Sequence, residues 1–301
     1  MNRASTSSFE SGYDNLLAEL FELDVDSTLS DVPTAAILAQ RLSHRKPLNE
    51  DHWLRAVPVN LIPDRDRLLL YPADKDTNTA AEKFNQQIVD VLLQNFDDLF
   101  ADILVDDQFG WLFRLKKPAR ICTSSVRQAS GNNIHAFLPK GDQAKQWIAV
   151  FNEIQMILHA ADSAEHGFNA FWFEGVGSLP QIRSAQKIAS IGNDNLFQAI
   201  AGYCQAERYN GTADLEDWPK NLDGLIVSDM TVLQAIDEQS EELLQQSIRT
   251  ANIQFSQVLS LLDEGRLSEI NLYLLNGCKY SIGKAGVLNF LKRRKKLSDL
   301  F

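Results

Sequence analysis

The first segment that could do chemistry is Glu174-Gly175-Val176-Gly177-Ser178-Leu179-Pro180, which follows the apolar run Ala170 to Phe173. A strand that runs into closely spaced glycines presents free backbone N–H groups at its carboxyl end, where open α/β sheets hold their ligands. The segment lacks the third glycine of a dinucleotide fingerprint and the Lys-Ser/Thr of a P-loop, so a turn that simply needs positive φ explains it too. Just upstream, Asn152, Gln155 and His159 recur at steps of three and four and therefore share one sector of a helix. That sector borders the apolar face, so these groups either line a cleft or form a solvated shoulder. Together with Asn169, Glu174, Gly175 and Gly177 they make the candidate ligand cleft, and His159 is the general acid/base if the protein is an enzyme.

Neither His159 nor His166 has a second ligand at an HxxxH or DxH spacing, so the residues encode no metal site and no cofactor is expected. No GxSxG segment accompanies a Ser-His-Asp set, which argues against nucleophilic catalysis. Arg55, Asp64, Arg65, Asp66 and Arg67 crowd an expected hairpin whose turn is Pro63-Asp64-Arg65-Asp66. Alternating charges of this kind usually make exposed ion pairs worth less than about 1 kcal/mol each. The sharper reading makes Arg55 with Arg65 or Arg67 a bidentate clamp on a phosphate or carboxylate. Lys292 to Lys296 form a basic run in a chain of formal net charge -11. It complements the negative end of a helix or meets an acidic protein partner.

These groups need elements to position them. Helical spacing covers Tyr13 to Leu23 and Pro33 to Leu42, with Asp31 as cap of the second. Strands are expected at Leu54 to Ile62, Arg67 to Tyr71, Ala101 to Val105, Gly110 to Leu115 and Ala119 to Thr123. A helix runs from Ala81 to Phe96 between them, and Ser124 to Gly141 reads as a polar loop. The second half alternates: a helix from Asp142, a strand at Ala170 to Phe173, a helix at Asn195 to Ala206 and a strand at Leu222 to Val227 ending in Ser228-Asp229. A helix at Leu243 to Leu262, a strand at Glu269 to Leu275 and a basic helix at Phe290 to Leu300 complete it. The expected fold is mixed α/β: an α+β first part over 13–140 with a partly antiparallel sheet, and an α/β part over 141–301 with a partly parallel one. The two parts could form one continuous domain, and residues 1–12 read as a disordered tail.

Composition narrows the partners. A chain of 301 residues, 45% hydrophobic and with pI near 5.0, suits a globular protein whose acidic surface repels nucleic acid. No apolar run is long enough to span a membrane, and no basic start precedes an apolar stretch, so a cytoplasmic location is expected. Cys122, Cys204 and Cys278 form no CxxC pair and read as free thiols.

Three ordered motifs carry a family resemblance. His52-Trp-Leu-Arg-Ala-Val-Pro-Val-Asn60 with Asp64-Arg-Asp-Arg-Leu68 resembles the "WLRADPVHLRADRDRL" signature of the RpfE-type regulatory proteins of proteobacteria. Asn152 to His159 is similar to their "NEIQMLLH", and Asn169 to Pro180 to their "NSLWFWGGGRLP". Gly265-Arg266-Leu267 and the basic end from Phe290 to Leu297 fit as well. The resemblance spans roughly residues 50 to 300. That family in turn faintly resembles the archaeal-type, cofactor-independent phosphoglycerate mutases of the alkaline-phosphatase-like superfamily, with their "HPVN" and "NSIWLWGQG" segments. His159 stands at the histidine position, but Ala160 and Ala161 replace Pro and Val, and Glu174 replaces an aromatic residue. The chain also lacks the N-terminal Asp-Gly metal strand, and Leu274-Leu-Asn-Gly277 stands where a late Asp-His pair belongs. What the resemblance implies is a degenerate alkaline-phosphatase-like core kept as a ligand-binding or regulatory protein for a small anionic ligand. A mutase-like enzyme and a structural, partner-binding protein are the alternatives.

Overall fold

The computed structural model describes residues 12–25, 32–42, 51–73, 82–183, 187–192, 194–209, 222–232, 235, 240–273 and 279–283. The chain divides into a larger unit, Tyr13–Arg208 with Asn221–Ser228, and a smaller one, Met1–Gly12, Tyr209–Lys220 and Asp229–Phe301.

In the larger unit the helices are α1 (Tyr13–Leu20), α2 (Thr34–Leu42), α3 (Glu82–Asn95), the short α4 (Val126–Ala129), α5 (Ala144–Ala160) and α6 (Asn195–Tyr203). The strands are β1 (Leu23–Asp24), β2 (His52–Asp64), β3 (Arg67–Pro72), β4 (Phe100–Asp106), β5 (Gly110–Leu115), β6 (Ala170–Gly177), β7 (Gln181–Ile182), β8 (Ile188–Gly192), β9 (Glu207–Tyr209) and β10 (Gly224–Ser228). The main sheet has the order β3-β2-β5-β4, with β6 also paired to β2, and every pairing in it is antiparallel. The 13-residue β2 is its spine: β5 pairs with His52 to Ala56, β3 with Val59 to Asp64, and β6 with Trp53 to Val59. Pro58 falls where one neighbour gives way to the next, a position that spares it the ladder hydrogen bond it cannot donate.

Alternation along these strands sends Leu54, Ala56, Phe113, Phe171 and Phe173 into one core, which α3 and α5 cover with Ile88, Leu92, Trp147 and Phe151. Trp147 and Phe151 meet Phe173 edge-on, at centroid distances of 5.8 and 6.1 Å. Each such side chain contributes about 1.5–3 kcal/mol of burial. Helix α2 is different: Thr34, Ala35, Ala36, Ile37, Leu38 and Ala39 are all buried, as befits a helix packed against β2, β6 and α6 at once.

A second sheet has the order β10-β8-β9, and β10 runs parallel to β8 from Gly224↔Ile188 to Ser228↔Gly192. The parallel pair puts the ends of both strands, Gly192 and Ser228, side by side. A short ladder joins β1 to β7.

Residue 140, where the two expected parts meet, lies within the larger unit, in which β6 pairs with β2 across more than a hundred residues of chain, as the alternative of one continuous domain had it. Elsewhere some expectations need correction. Ala119 to Thr123 is no strand: both edges of β5 are already taken by β2 and β4, and only the bridge Cys122–Lys140 forms. The loop after it holds α4, started by a reciprocal Ser125–Gln128 capping box. The strand expected at Ala170 to Phe173 continues through both glycines to Gly177.

In the smaller unit, α7 (Glu241–Asp263) starts at Ser240, whose hydroxyl accepts from the Leu243 N–H, and β11 (Glu269–Tyr273) pairs antiparallel with β12 (Lys279–Gly283). The expected tail 1–12 except Gly12, the Asp31 cap, Leu274 to Gly277 and the basic helix Phe290 to Leu300 lie outside the described residues. The protein is a mixed α/β protein, and no helix among the described residues is long and apolar enough to cross a membrane.

Candidate functional site

The glycine segment is a bulge. Arg55 pairs with Glu174 and Trp53 with Gly177, so β6 spends one residue more than β2 over the same stretch. Gly175 takes φ +63° and Gly177 φ +147°, the positive range weighed as one explanation of this segment. The reason is packing. A Cβ at Gly175 would collide with Thr34 Oγ1 and come within 3.1 Å of the Ala35 nitrogen, and one at Gly177 would lie 2.8 Å from Pro33 Cβ. The start of α2 thus packs closely against this backbone.

Glu174, only 8% exposed, is satisfied within the fold. Its Oε1 accepts from Arg55 Nη1 at 2.8 Å and its Oε2 from the Val126 N–H at 2.7 Å. Arg55 Nε donates in turn to the Phe109 carbonyl at 2.7 Å. One charge-assisted pair therefore ties β2, β6, α4 and the turn before β5 together.

The helix stripe is a wet face. Asn152 and His159 are exposed, Gln155 is half-buried, and Met156 beside them is 72% exposed. Of the two readings of this stripe, a cleft lining and a solvated shoulder, the second holds: α5 turns its apolar side, Phe151, Ile154 and Leu158, to the core and leaves His159 outside. Asn169 does meet a partner, but within the sheet: its side chain accepts from Leu61 N–H at 2.8 Å and donates to Leu61 O at 3.0 Å, imitating a strand residue. Arg65 sits at φ +55° in the exposed β2–β3 turn, beside the exposed Arg67–Asp64 pair at 2.6 Å. Ten residues of strand separate it from Arg55, roughly 30 Å at about 3.3 Å per residue, so the two arginines cannot clamp one ligand.

What the fold does assemble lies around the start of α1. Tyr13 Oη donates to Asp194 Oδ2 at 2.8 Å and lies 2.6 Å from Ser228 Oγ. With its own proton given to Asp194, the phenol oxygen accepts that of Ser228. The Arg127 guanidinium lies over the Tyr13 ring, 4.7 Å from its centroid. Asp194 also caps α6 by accepting from the Phe197 N–H at 3.1 Å. Ser228 ends β10 at its carboxyl edge. Burial, then the Asp194 charge, pushes the Tyr13 phenol far up, so it stays protonated. Burial first, with Glu174 and Asp194 adding to it against Arg127 and Arg55, pushes the Asp14 carboxyl up to about 7. The cluster therefore offers an exposed guanidinium on an anchored ring and a carboxyl that changes charge near neutrality. Sequence reading misses it because its members come from segments far apart in the chain, and only the strand end at Ser228 is a visible signal.

The two-metal chemistry that the resemblance implies does not fit the described residues, among which no three His, Cys, Asp or Glu side chains come together in a way that could hold an ion. A mixed α/β protein with this cluster at a strand end is the class that fold and site define. Neither a protein-family model nor a curated protein sequence matches the chain. Among solved structures it is similar to a cofactor-independent phosphoglycerate mutase from Thermoplasma acidophilum DSM 1728, at 13% identity and a TM-score of 0.36, over 78% of this chain and 70% of that one.

Proposed function

We propose that the protein binds a small anionic ligand in a regulatory capacity, at the cluster formed by Tyr13, Asp14, Arg127, Asp194 and Ser228. The observation that carries the reading is the Arg127 guanidinium laid on a tyrosine that Asp194 and Ser228 hold at the carboxyl end of β10. Strand ends of this kind are where α/β sheets receive ligands, and a pre-positioned guanidinium loses little freedom when it grips a carboxylate or phosphate. Arg55 is held by Glu174 and the Phe109 carbonyl on a different part of the sheet. The regulatory part rests on the resemblance to RpfE-type proteins, and binding without turnover is supported by a donor set built for hydrogen bonding. In this reading the chain is a catalytically degenerate relative of the phosphomutases.

The test is calorimetric titration with phosphate, sulfate and 3-phosphoglycerate. Binding by the wild type and its loss in Arg127→Ala are expected, with Arg65→Ala unchanged. Interconversion of phosphoglycerates by the purified protein supplied with manganese would overturn the degenerate reading.

A further inference from the structure

We propose that the β2–β3 hairpin is a self-association surface, through which two copies of the protein pair about a two-fold axis. The pairing is separate from the anion site and does not depend on it.

The hairpin has two unlike faces. Residues opposite each other in an antiparallel ladder share a face, and the register sets Leu61 against Leu70, Ile62 against Leu69 and Asn60 against Tyr71. Leu61 and Leu70 are buried in the core. Alternation therefore sends Ile62, Leu69 and Tyr71 to the other face, where Ile62 is 47% and Tyr71 41% exposed. Ile62 and Tyr71 are diagonal neighbours across the two strands, a spacing within reach of an aromatic ring. A single exposed apolar side chain is ordinary, but these two, joined by the half-buried Leu69, make a patch that a partner can cover.

Charge identifies the partner. The turn beside the patch reads Asp64-Arg65-Asp66-Arg67, two charges of each sign in a chain of net charge -11. Arg65, Asp66 and Arg67 are exposed, and the Asp64 side chain keeps 40% of its surface. An acidic or a basic partner would meet as many like charges here as opposite ones. A second copy does not. An alternating run of even length, laid antiparallel on itself, sets Asp64 on Arg67 and Arg65 on Asp66. A two-fold axis gives that arrangement, because every contact then occurs twice with the roles exchanged. The Asp64–Arg67 bond, 2.6 Å within one hairpin, is then shared with the second copy. Stable interfaces take roughly 20–30 residues a side, far more than a hairpin tip offers, so the pairing is reversible. It also weakens with salt, which screens exposed charges.

Sedimentation velocity from about 10 μM to about 1 mM protein, the range of weak complexes, at low and at high salt is the test. The wild type is expected to pass from monomer to dimer as concentration rises, and to need several-fold more protein at high salt. Ile62→Ser is expected to weaken the dimer by about tenfold. Arg67→Asp and Asp64→Arg each set like charges against themselves and stay monomeric alone. An equal mixture of the two restores every opposite pair and dimerises. A wild type that stays monomeric at low salt, or a dimer indifferent to salt, overturns the proposal. So does a dimer that survives unchanged in Ile62→Ser or in either reversal, or a mixture that stays monomeric. The salt series uses the wild type alone, so it decides the matter even if a variant does not fold.

Discussion

The Arg55–Glu174 pair and the Tyr13–Asp14–Arg127 cluster use the same side-chain types in the same unit, yet they are opposite kinds of place. Around Glu174 the ionic groups are closed on themselves: the Phe109 carbonyl, the Val126 N–H and the Arg55 guanidinium account for the carboxylate and much of the guanidinium. Around Asp14 the Tyr13 phenol is held by Asp194 and Ser228 and carries the exposed Arg127 guanidinium over its ring, while burial pushes the Asp14 carboxyl up to about 7. A charge whose bonds are met inside the fold is structural, and a carboxyl held near neutrality by its surroundings is one whose charge those surroundings can change.

Removing Arg55 is the strongest way to test the first half of that contrast. Arg55→Ala strands Glu174 as a buried carboxylate and is expected to cost about 3–4 kcal/mol in urea unfolding. A loss below 1 kcal/mol would mean the pair is not the clasp described here. Gly175→Ala follows at about 2–3 kcal/mol, because φ +63° and the approach of Thr34 both oppose a Cβ; its midpoint in thermal unfolding should drop at unchanged fold.

Asp14→Asn probes the other half and changes sign of interest with pH. The folded-state value of about 7 lies above the ordinary 3.8, so wild-type stability is intact at the lowest pH, falls as pH rises from 3.8 towards 7, and levels off beyond. The variant should therefore gain on the wild type at pH 8, on the order of 2 kcal/mol after allowing for partial exposure, and little at pH 4. Equal stability differences at both pH values would remove Asp14 from the account. Tyr13→Phe deletes the phenol that bridges Asp194 and Ser228 and is expected to cost about 1–2 kcal/mol by chemical denaturation. His159→Ala should stay within about 0.5 kcal/mol and leave anion binding alone, as suits an exposed position.

How much of this was legible varies by element. The 3.6-residue period of Trp147, Val150, Phe151, Ile154 and Leu158 identifies α5 and its buried side. The same period also places Asn152 and His159 at the edge of that side, but period alone does not say whether a neighbour covers the edge, and none does enough to bury them. The positive φ of Gly175 and Gly177 is legible because only glycine adopts it cheaply. Its purpose is not, since it depends on α2, which arrives from more than a hundred residues away.

The mixed α/β class and most of the helices and strands are legible in the residues, because these follow from local sterics and from burial of one face per element. That Arg55 closes off Glu174, and that Arg127, Asp194 and Ser228 meet at Tyr13 with Asp14 beside it, emerges from packing alone. Both outcomes rest on contacts between residues far apart along the chain. The energy of a charge depends on whatever surrounds it in space, and that is set by how the elements pack.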